Sequence, residues 1–487
     1  MLLALTALLA AAAPSTVLVA PFAVHGEASE WAGIALAESV LDVVVQANKD
    51  NFLTLKQLDA ILRRRDLKLV DAASAQTAVE LGRTLGATDV VVGDITFQGD
   101  GYALTAKRIR TADGSTVAEA KADGGRAALP VIAQRVAREL LGVSTPQGPM
   151  TRSARALEMA ARCEADLARQ SLGAHSHMTL PQDKLAAAER DCRAALEADP
   201  ALGLARAGLA VTCAVRGNFS EARLEAEAAR KSRFVPLAVL AAAFGARKMH
   251  DAAASRALLQ NAVDERPGFL QALGYLAEDR MEAGADQEAL ELFDRYLQRS
   301  PNHPWAMGKK ARQLSKLGRR EEGIALSEKA LALDPGDPEL LIETASRYID
   351  AKRDAKAEPL LRRAAQSTPP RPLALLRLGY LYLRGNKLQQ AREALLGCIA
   401  QARRDDEART RAHAHADLAR IEAKQGNYAE AVAELALARK EGLNKLPCKE
   451  PELMRWKDKP ELRRVCLEAA QALNDEKPDD DAVPIDL

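Results

Sequence analysis

Four prolines recur at one fixed interval in this chain of 487 residues, and that period constrains the fold more than any other feature. They are Pro267, Pro301, Pro335 and Pro369. The interval is about 34 residues, a length typical of repeated structural units. Proline fixes φ and offers no backbone N–H, so each one is expected to end a helix. Small residues keep the same interval, at Ala243, Ala277, Ala311, Ala345 and Gly379 and at Ala289, Gly323, Ala357 and Ala391. These ladders predict a repeated pair of antiparallel helices that approach closely where the small residues lie.

A third ladder marks the point where the first helix of each pair should end. Gly284 and Gly318 keep the same interval, and Gly385 comes one residue early. A left-handed residue after a helix favours glycine, because the missing side chain removes the steric cost. We therefore expect all three glycines to be left-handed.

This pattern resembles the tetratricopeptide repeat (TPR), a helix pair of about 34 residues. The segment Leu270–Pro301 carries the family residues Leu273, Leu276, Ala277, Gly284, Ala289, Phe293 and Pro301. Tyr296 departs from the pattern, since a small residue is usual there. The resemblance implies a mainly α fold, a TPR α-solenoid of about eight helix pairs over residues 152–445. Units are expected to begin near Ser153, Gly203, Leu237, Leu270, Pro304, Pro338, Pro372 and Ala412.

The end of the chain should close this array. The segment 446–474 is amphipathic and is expected to form the capping helix that stacked repeats need. Residues 475–487 are acidic and contain proline, so we predict that they are disordered.

Residues 16–142 have a different sequence pattern, with β-branched runs separated by helical segments and tight turns, which predicts a small α/β domain. The run "TVLVAPFAV" is typical of a buried strand, and "VVVGDITFQ", "YALTAKRIRT" and "STVAEAKAD" read as strands joined by tight Gly/Asp turns. With the helical stretches between and after them, the expected order is β-α-α-α-β-β-β-α, with helices against a mixed sheet. Residues 143–151, "VSTPQGPMT", form a linker short enough for the two domains to touch.

This domain resembles the amino-terminal domain of TolB and related envelope proteins, a superfamily that includes curli-secretion and flagellar outer-membrane proteins. The resemblance rests on "VLVAPF", a helix, and then "LGATDVVVGDITFQGDGYALTAKRIRTADGSTV". It implies a binding module that meets other envelope proteins.

Residues 1–15, "MLLALTALLAAAAPS", have the apolar run and small residues of a secretory signal, which indicates export to the periplasm or beyond. The segment is too short to span a bilayer, and no later segment is long and apolar enough. Its beginning lacks Lys and Arg, so an alternative stays open. In that alternative, residues 1–15 belong to the first strand of a cytoplasmic TPR adaptor in regulation or signalling.

The six cysteines allow two interpretations. Export permits disulfides, and Cys448 and Cys466 flank the last helical segment, while Cys192 lies within reach of Cys163 or Cys213. The other interpretation is buried free thiols between helices, Cys398 among them. No C-x-x-C spacing occurs, which argues against zinc or thioredoxin-like chemistry.

We predict no enzyme activity, no cofactor and no metal. The sequence holds no nucleophile-elbow, zinc-protease or phosphate-loop motif. His175 and His177 lie in a long inserted loop, and His413 and His415 lie two apart on a helix, where side chains do not share a face. The formal net charge of +1 and the lack of aromatic residues beside Arg63–Arg65 argue against a nucleic-acid partner.

The resemblance therefore points to a partner protein or peptide held along the concave groove, which the first helix of each unit lines. By spacing, the groove candidates are Tyr275, Glu278, Trp305, Lys309, Arg312, Arg377, Tyr380, His413 and Arg420. Trp, Tyr and Arg are the usual anchors of protein interfaces. Some family members clamp a carboxyl terminus with Lys and Asn. The equivalent positions here hold Gly274, Gly308, Ile342 and Leu376, so such a clamp is not expected.

Overall fold

A computed structural model describes residues 14–26, 31–65, 67–144, 148–167, 181–231, 233–368, 370–403 and 407–475. The chain divides into two compact units, Met1–Leu333 and Asp334–Leu487. Three predictions fall outside the described residues: most of the signal segment, the loop with His175 and His177, and the disorder expected beyond Asp475.

The first unit begins with a mixed sheet. Its strands are β1 (Thr16–Val19), β2 (Ala23–His25), β3 (Asn51–Leu53), β4 (Asp89–Gln98), β5 (Gly101–Arg110) and β6 (Thr116–Gly125). The order is β3-β1-β4-β5-β6, and β2 pairs with β4 beside β1. The pairs of β1 with β3 and of β1 and β2 with β4 are parallel, whereas β4, β5 and β6 form antiparallel hairpins in the predicted order.

Helices cover this sheet as the sequence predicts. They are α1 (Trp31–Ala47), α2 (Leu55–Arg64), α3 (Ala75–Thr84) and α4 (Leu129–Leu141). The strand order differs in one respect from the prediction, because β2 and β3 are additional strands. Each has only three residues, too few for a period of two to stand out in the sequence.

Paired helices follow in the first unit. They are α5 (Ala154–Leu167), α6 (Gln182–Ala198), α7 (Gly203–Val215), α8 (Phe219–Ala229), α9 (Pro236–Lys248), α10 (Ala252–Glu265), α11 (Leu270–Glu282), α12 (Asp286–Arg299), α13 (Pro304–Lys316) and α14 (Arg320–Leu333). The two helices of each pair pack on each other, and the first helices of successive pairs also meet, as α5 does with α7 and α7 with α9. This is the TPR-like solenoid arrangement that the period predicts.

The second unit continues the same series. Its helices are α15 (Pro338–Asp350), α16 (Asp354–Ala365), α17 (Pro372–Arg384), α18 (Leu388–Gln401), α19 (Ala408–Gln425), α20 (Tyr428–Lys440), α21 (Pro451–Met454) and α22 (Pro460–Asp475). The predicted cap is two helices, α21 and α22. Their buried Leu453, Leu462 and Val465 share a core with Ala419 and Leu435 of the last pair.

From α7 onward, the turn inside each pair contains a left-handed residue, but the residue identities differ from the prediction. Gly284 and Gly318 have φ of 72° and 82°, whereas Gly385 has an ordinary negative φ. The left-handed residue of that turn is Asn386, with φ of 54°, and Lys352 holds the place one repeat earlier with φ of 58°. The left-handed residue therefore recurs once per repeat even where glycine is replaced by another residue. Asn tolerates this conformation, and the helix packing imposes it on Lys.

Four of the six cysteines form disulfides. Cys163 of α5 is bonded to Cys192 of α6, and Cys448 is bonded to Cys466 of α22. Cys213 and Cys398 are free and buried. Gly208 of α7 lies against the first disulfide, since a Cβ built there would stand 2.5 Å from Sγ of Cys192 and 2.9 Å from Sγ of Cys163.

The α/β region and the first helix pairs share one hydrophobic core. Phe52 of β3 stacks on Phe269, just before α11, with ring centroids 5.3 Å apart and an interplanar angle of 19°. Polar contacts fix the same seam. Thr54 Oγ1 lies 2.6 Å from Oε1 of Gln271, and Asn51 Nδ2 donates to the carbonyl oxygen of Arg299 at 2.8 Å.

Charged groups are also buried in this seam. Lys56 of α2 donates to the carbonyl oxygen of Leu167 and lies 3.8 Å from Glu164 of α5, and both charged side chains are under a tenth exposed. Glu38 of α1 lies nearby. Loss of hydration, and then the charge of Glu164, raise the pKa of Glu38 from 4.5 to about 8. Burial likewise raises the pKa of Glu164, although the Lys56 ammonium opposes that shift.

These carboxyls predict that the first unit becomes less stable as the pH rises. Between 4.5 and about 8, folded Glu38 holds a proton that the unfolded chain releases, so its contribution to stability falls across that window. We expect the thermal midpoint to be several degrees lower at about pH 8.5 than at about pH 5.5. Glu38→Gln should flatten that slope, whereas the matched change at exposed Glu80 should keep it. Circular dichroism melts measure both, and equal slopes in the two variants would contradict the assignment.

A second prediction concerns the packing at the first disulfide. Gly208→Ala should lower the free energy of unfolding by about 1–3 kcal/mol, because the added methyl group collides with both sulfur atoms. Gly245→Ala in α9 is the matched control, since the nearest atom to a Cβ there is 3.8 Å away. There, the higher helix propensity of alanine should stabilise by about 0.5–1 kcal/mol. Urea denaturation under non-reducing conditions measures both changes, and equal effects would contradict the packing.

Candidate partner-binding surface

The first helices of the pairs form the face on which a partner is expected, called here the inner face. In the first unit they are α5, α7, α9, α11 and α13, and in the second unit α15, α17 and α19. Each position on this face recurs once per repeat. Three such columns hold the candidates on α11, α13 and α17: Gln271, Trp305, Glu339 and Leu373; Tyr275, Lys309, Glu343 and Arg377; and Glu278, Arg312, Ser346 and Tyr380. The candidates His413 and Arg420 lie on α19.

Much of the inner face in the first unit is covered by the chain's own α/β region. Helix α1 packs on α5, and β3 packs on α11. Between them, residues 237–246 of α9 are all buried. Gln46 of α1 donates to the carbonyl oxygen of Phe234 at 2.9 Å, and Arg233 forms an ion pair with Asp42 of α1 at 2.5 Å. The place expected for a partner is therefore taken here by an internal occupant.

Tyr275 and Glu278 lie at the edge of this covered region, and both are half-buried. The hydroxyl of Tyr275 accepts a hydrogen bond from Nε2 of Gln271 at 3.1 Å. Gln271 in turn meets Thr54 of the α/β region. Tyr275 and Glu278 also line a small cavity of about 20 Å³ with Phe244 and Arg247. Both residues thus contact the chain itself, and their role toward a partner stays a prediction.

Trp305 packs inside the first unit. Its ring meets Phe293, Tyr296 and His303 at centroid distances of 6.0, 5.8 and 5.9 Å. Gly274 makes room for it, since a Cβ there would lie 3.1 Å from the indole. A packing role therefore accounts for much of this side chain. On the same helix, Lys309 is half-buried and Arg312 is exposed.

In the second unit, α17 presents an exposed stripe. Leu373, Arg377 and Tyr380 are spaced by four and three residues, so they share one helix face. Leu373 is 40% exposed and Tyr380 is 39% exposed, which is high for large apolar side chains. The guanidinium of Arg384 lies over the Tyr380 ring, 6.0 Å from its centroid.

Helix α19 adds positive charge beside this stripe. Arg409 and His413 are exposed, and Arg420 is half-buried. Loss of hydration and the guanidinium groups of Arg409, Arg377 and Arg420 lower the pKa of His413. Arg377 belongs to α17, so the two helices bring their cations together. Arg420 is already compensated, since it pairs with Asp417 and its Nε donates to Glu450 at 2.8 Å.

These residues define the basic inner surface: Leu373, Arg377, Tyr380, Arg409, His413 and Arg420. The structure brings together the four candidates predicted in this unit. Sequence reasoning missed Leu373 and Arg409. Leu373 continues the column of Trp305, and Arg409 lies one turn before His413, so both signals were present in the spacing.

The second histidine of the pair on α19 has a partner on α20. His415 Nδ1 lies 2.6 Å from Oε2 of Glu434 on α20, whereas His413 faces the arginines, so the two histidines diverge as predicted. Burial raises the pKa of the free Cys213 to about 11 and that of Cys398 to about 12, which disfavours thiolate formation. Within the described ranges, no cluster of three or more His, Cys, Asp or Glu is placed to hold a metal ion. No described helix is both long enough and apolar enough to cross a membrane.

A family model described as tetratricopeptide repeat matches residues 280–342. Several solved structures are similar to this chain at low identity. PilW, a type IV pilus biogenesis factor, is 19% identical, covers 44% of this chain and 94% of its own, and has a TM-score of 0.37. Human IFIT1, in a dimer with PPP-AAAA, is 17% identical, with 63% and 73% covered and a TM-score of 0.42.

A thermophilic TPR protein of Thermus thermophilus, TTC0263, is 20% identical, with 42% and 98% covered and a TM-score of 0.33. No curated protein matches the sequence significantly. The likeness of the α/β region to the TolB domain stays a prediction. The family match over residues 280–342 and the stacked helix pairs together support the presence of tetratricopeptide repeats in this chain.

Proposed function

We propose that this protein is a non-enzymatic scaffold of a bacterial-type cell envelope, which holds a partner protein or peptide on the basic inner surface. The observation that supports this role is the contrast between the two units. The inner face of the first unit is largely covered by the α/β region, whereas Leu373, Arg377 and Tyr380 of the second unit are exposed. An exposed Tyr and Arg beside an apolar residue is a composition typical of interface anchors.

The α/β region has its own part in this proposal. One side of it is fixed on the repeats through α1 and β3. Strand β6 is at the other end of the strand order, and Val117 on it is 45% exposed. The region would present this side to a second partner, as its likeness to envelope binding modules implies.

Export is supported by the two disulfides. Such bonds persist in oxidising compartments and are rare in the cytosol of most organisms. The bonds Cys163–Cys192 and Cys448–Cys466 each join segments of a single unit. They favour the envelope over the cytoplasmic adaptor.

The binding proposal predicts a loss of partner capture. The double change Arg377→Glu and Tyr380→Ala in the full-length protein should weaken capture at least about tenfold, because it removes two anchor-type side chains. Arg362→Glu is the matched control, since Arg362 is an exposed arginine on α16, a second helix of its pair, bound to Glu358. Quantitative affinity capture from native extract measures retention. A set of proteins retained equally by all three forms would refute the surface.

The export proposal predicts two accessible thiols. When the protein is isolated from its native cells and denatured without reductant, two of its six cysteines should react with a thiol reagent, namely Cys213 and Cys398. Full reduction should raise the number to six. The mature chain should also start near Ser15 when its amino terminus is sequenced. Six reactive thiols before reduction, with an intact first residue, would favour the cytoplasmic alternative.

A further inference from the structure

The basic inner surface carries more positive charge than its own helices neutralise. Arg420 has Asp417 and Glu450 as partners. Arg377 and Arg409 are exposed, and within the described part of the chain neither has an ion-pair partner. Helices α17 and α19 pack against each other, and the charges of Arg409, Arg377 and Arg420 all act on His413. Like charges at close range repel one another, so an anionic group placed here would be stabilised.

The sequence contains a segment of matching chemistry. Residues 476–487 read "EKPDDDAVPIDL", with five acidic side chains and one lysine. Val483, Ile485 and Leu487 follow the run of three aspartates. The acidic part matches Arg377 and Arg409, and the apolar part matches the exposed Leu373 and Tyr380.

Hydrogen bonds between α22 and α20 determine the position of the end of α22, after which this segment begins. Tyr428, the first residue of α20, donates to Glu461 near the start of α22 at 2.8 Å. Arg439, near the end of α20, donates to Glu468 at 2.6 Å. Helix α22 therefore runs in the same direction as α20.

The end of α20 meets the start of α19, because Arg411 donates to Glu441 at 2.7 Å. The last residue of α22, Asp475, is thus directed toward the end of α19 that carries Arg409 and His413. Twelve residues span up to about 40 Å when extended. Packed helices lie about 8–10 Å apart, so this length is ample to cross α20 and reach α19 and α17.

We propose that residues 476–487 bind the basic inner surface of the same molecule and compete there with the acidic segment of a partner. This inference deepens the proposed function and rests on it, since it assigns the chemistry of the partner site. The partner segment would carry Asp or Glu next to apolar side chains. The chain's own segment would act as a built-in competitor that a stronger acidic ligand displaces.

The first test changes the segment and leaves the folded residues untouched. In the full-length protein, Asp479, Asp480, Asp481 and Asp486 are replaced by asparagine, and the His413 imidazole is titrated by NMR. Nearby carboxylates favour the imidazolium, so the pKa of His413 should be lower in the asparagine variant than in the wild type. The difference should shrink at high salt and be independent of protein concentration. An identical pKa in both proteins, or a difference that grows with concentration, would overturn intramolecular binding.

The second test measures occupancy with a labelled peptide, EKPDDDAVPIDL, by fluorescence anisotropy. It should bind the asparagine variant at least about tenfold more tightly than the wild type, whose surface is occupied. Adding Arg377→Glu and Arg409→Glu to the asparagine variant should abolish binding, and adding Arg362→Glu should not. Circular dichroism checks that each protein is folded. Equal affinity for wild type and asparagine variant, or binding that survives the double reversal, would contradict the proposal.

The two proposals fail in different ways. If partner capture depends on Arg377 and Tyr380 while the peptide does not bind, the scaffold role stands and the internal competitor is wrong. If the peptide binds through Arg377 and Arg409 while capture is unchanged by their reversal, the internal contact stands and the scaffold surface is wrong. If the asparagine variant also captures more partner than the wild type, both are supported.

Discussion

The packing of the α/β region on the inner face of the first helix pairs is the contact on which the first unit depends. A single helix pair cannot bury its apolar side alone and needs neighbours on both sides. Helix α9 shows the consequence, because its residues 237–246 are buried without interruption, on the inner face as well as on the sides that pack on neighbouring helices. The stack of Phe52 on Phe269 and the shared hydrophobic core replace water over that face. The α/β region and the first helix pairs, which differ in sequence pattern, thus form one compact unit.

Charged side chains have different environments in the two units. In the first unit, Lys56 and Glu164 are buried and Glu38 is half-buried, and the pKa values of the two carboxyls rise mainly because the charged forms lose hydration. In the second unit, Arg377 and Arg409 stay exposed without an ion-pair partner among the described residues, and loss of hydration together with their charges lowers the pKa of His413. Raised carboxyl pKa values of the first kind are expected to make the stability of the first unit depend on pH. Exposed cations of the second kind are the basis for proposing an anionic ligand.

The disulfides act at places where the repeat itself is weakest. Cys163–Cys192 joins the first helix pair, whose two helices are separated by a long insertion, and Cys448–Cys466 ties α22 to the segment after α20. Terminal repeats of an array have a neighbour on one side only, so they gain the least from stacking. A disulfide restricts the unfolded chain, and the resulting stabilisation offsets part of the stacking energy that a terminal repeat lacks.

The sequence by itself determined the local structure wherever one period ran through many residues. The regularly spaced prolines and small residues predicted the paired helices, because helix signals are local. Strands of three residues, such as β2 and β3, carry too little pattern and form only when a neighbouring strand supplies hydrogen bonds. The left-handed residue of the turn between α17 and α18 is Asn386 and not Gly385, so its position follows the spacing of the packed helices and not the preference of glycine for this conformation.

Only the tertiary structure decided which of several residues with equivalent sequence positions form a bond or pack inside the protein, and which stay exposed to a partner. Cys192 had two partners within reach, and the pairing of α5 with α6 selected Cys163. Trp305 and Leu373 hold equivalent positions of two first helices by spacing, yet Trp305 packs against aromatic neighbours while Leu373 remains exposed. Spacing places a side chain on a face, but whether that face meets water or another part of the chain depends on contacts between residues far apart in sequence.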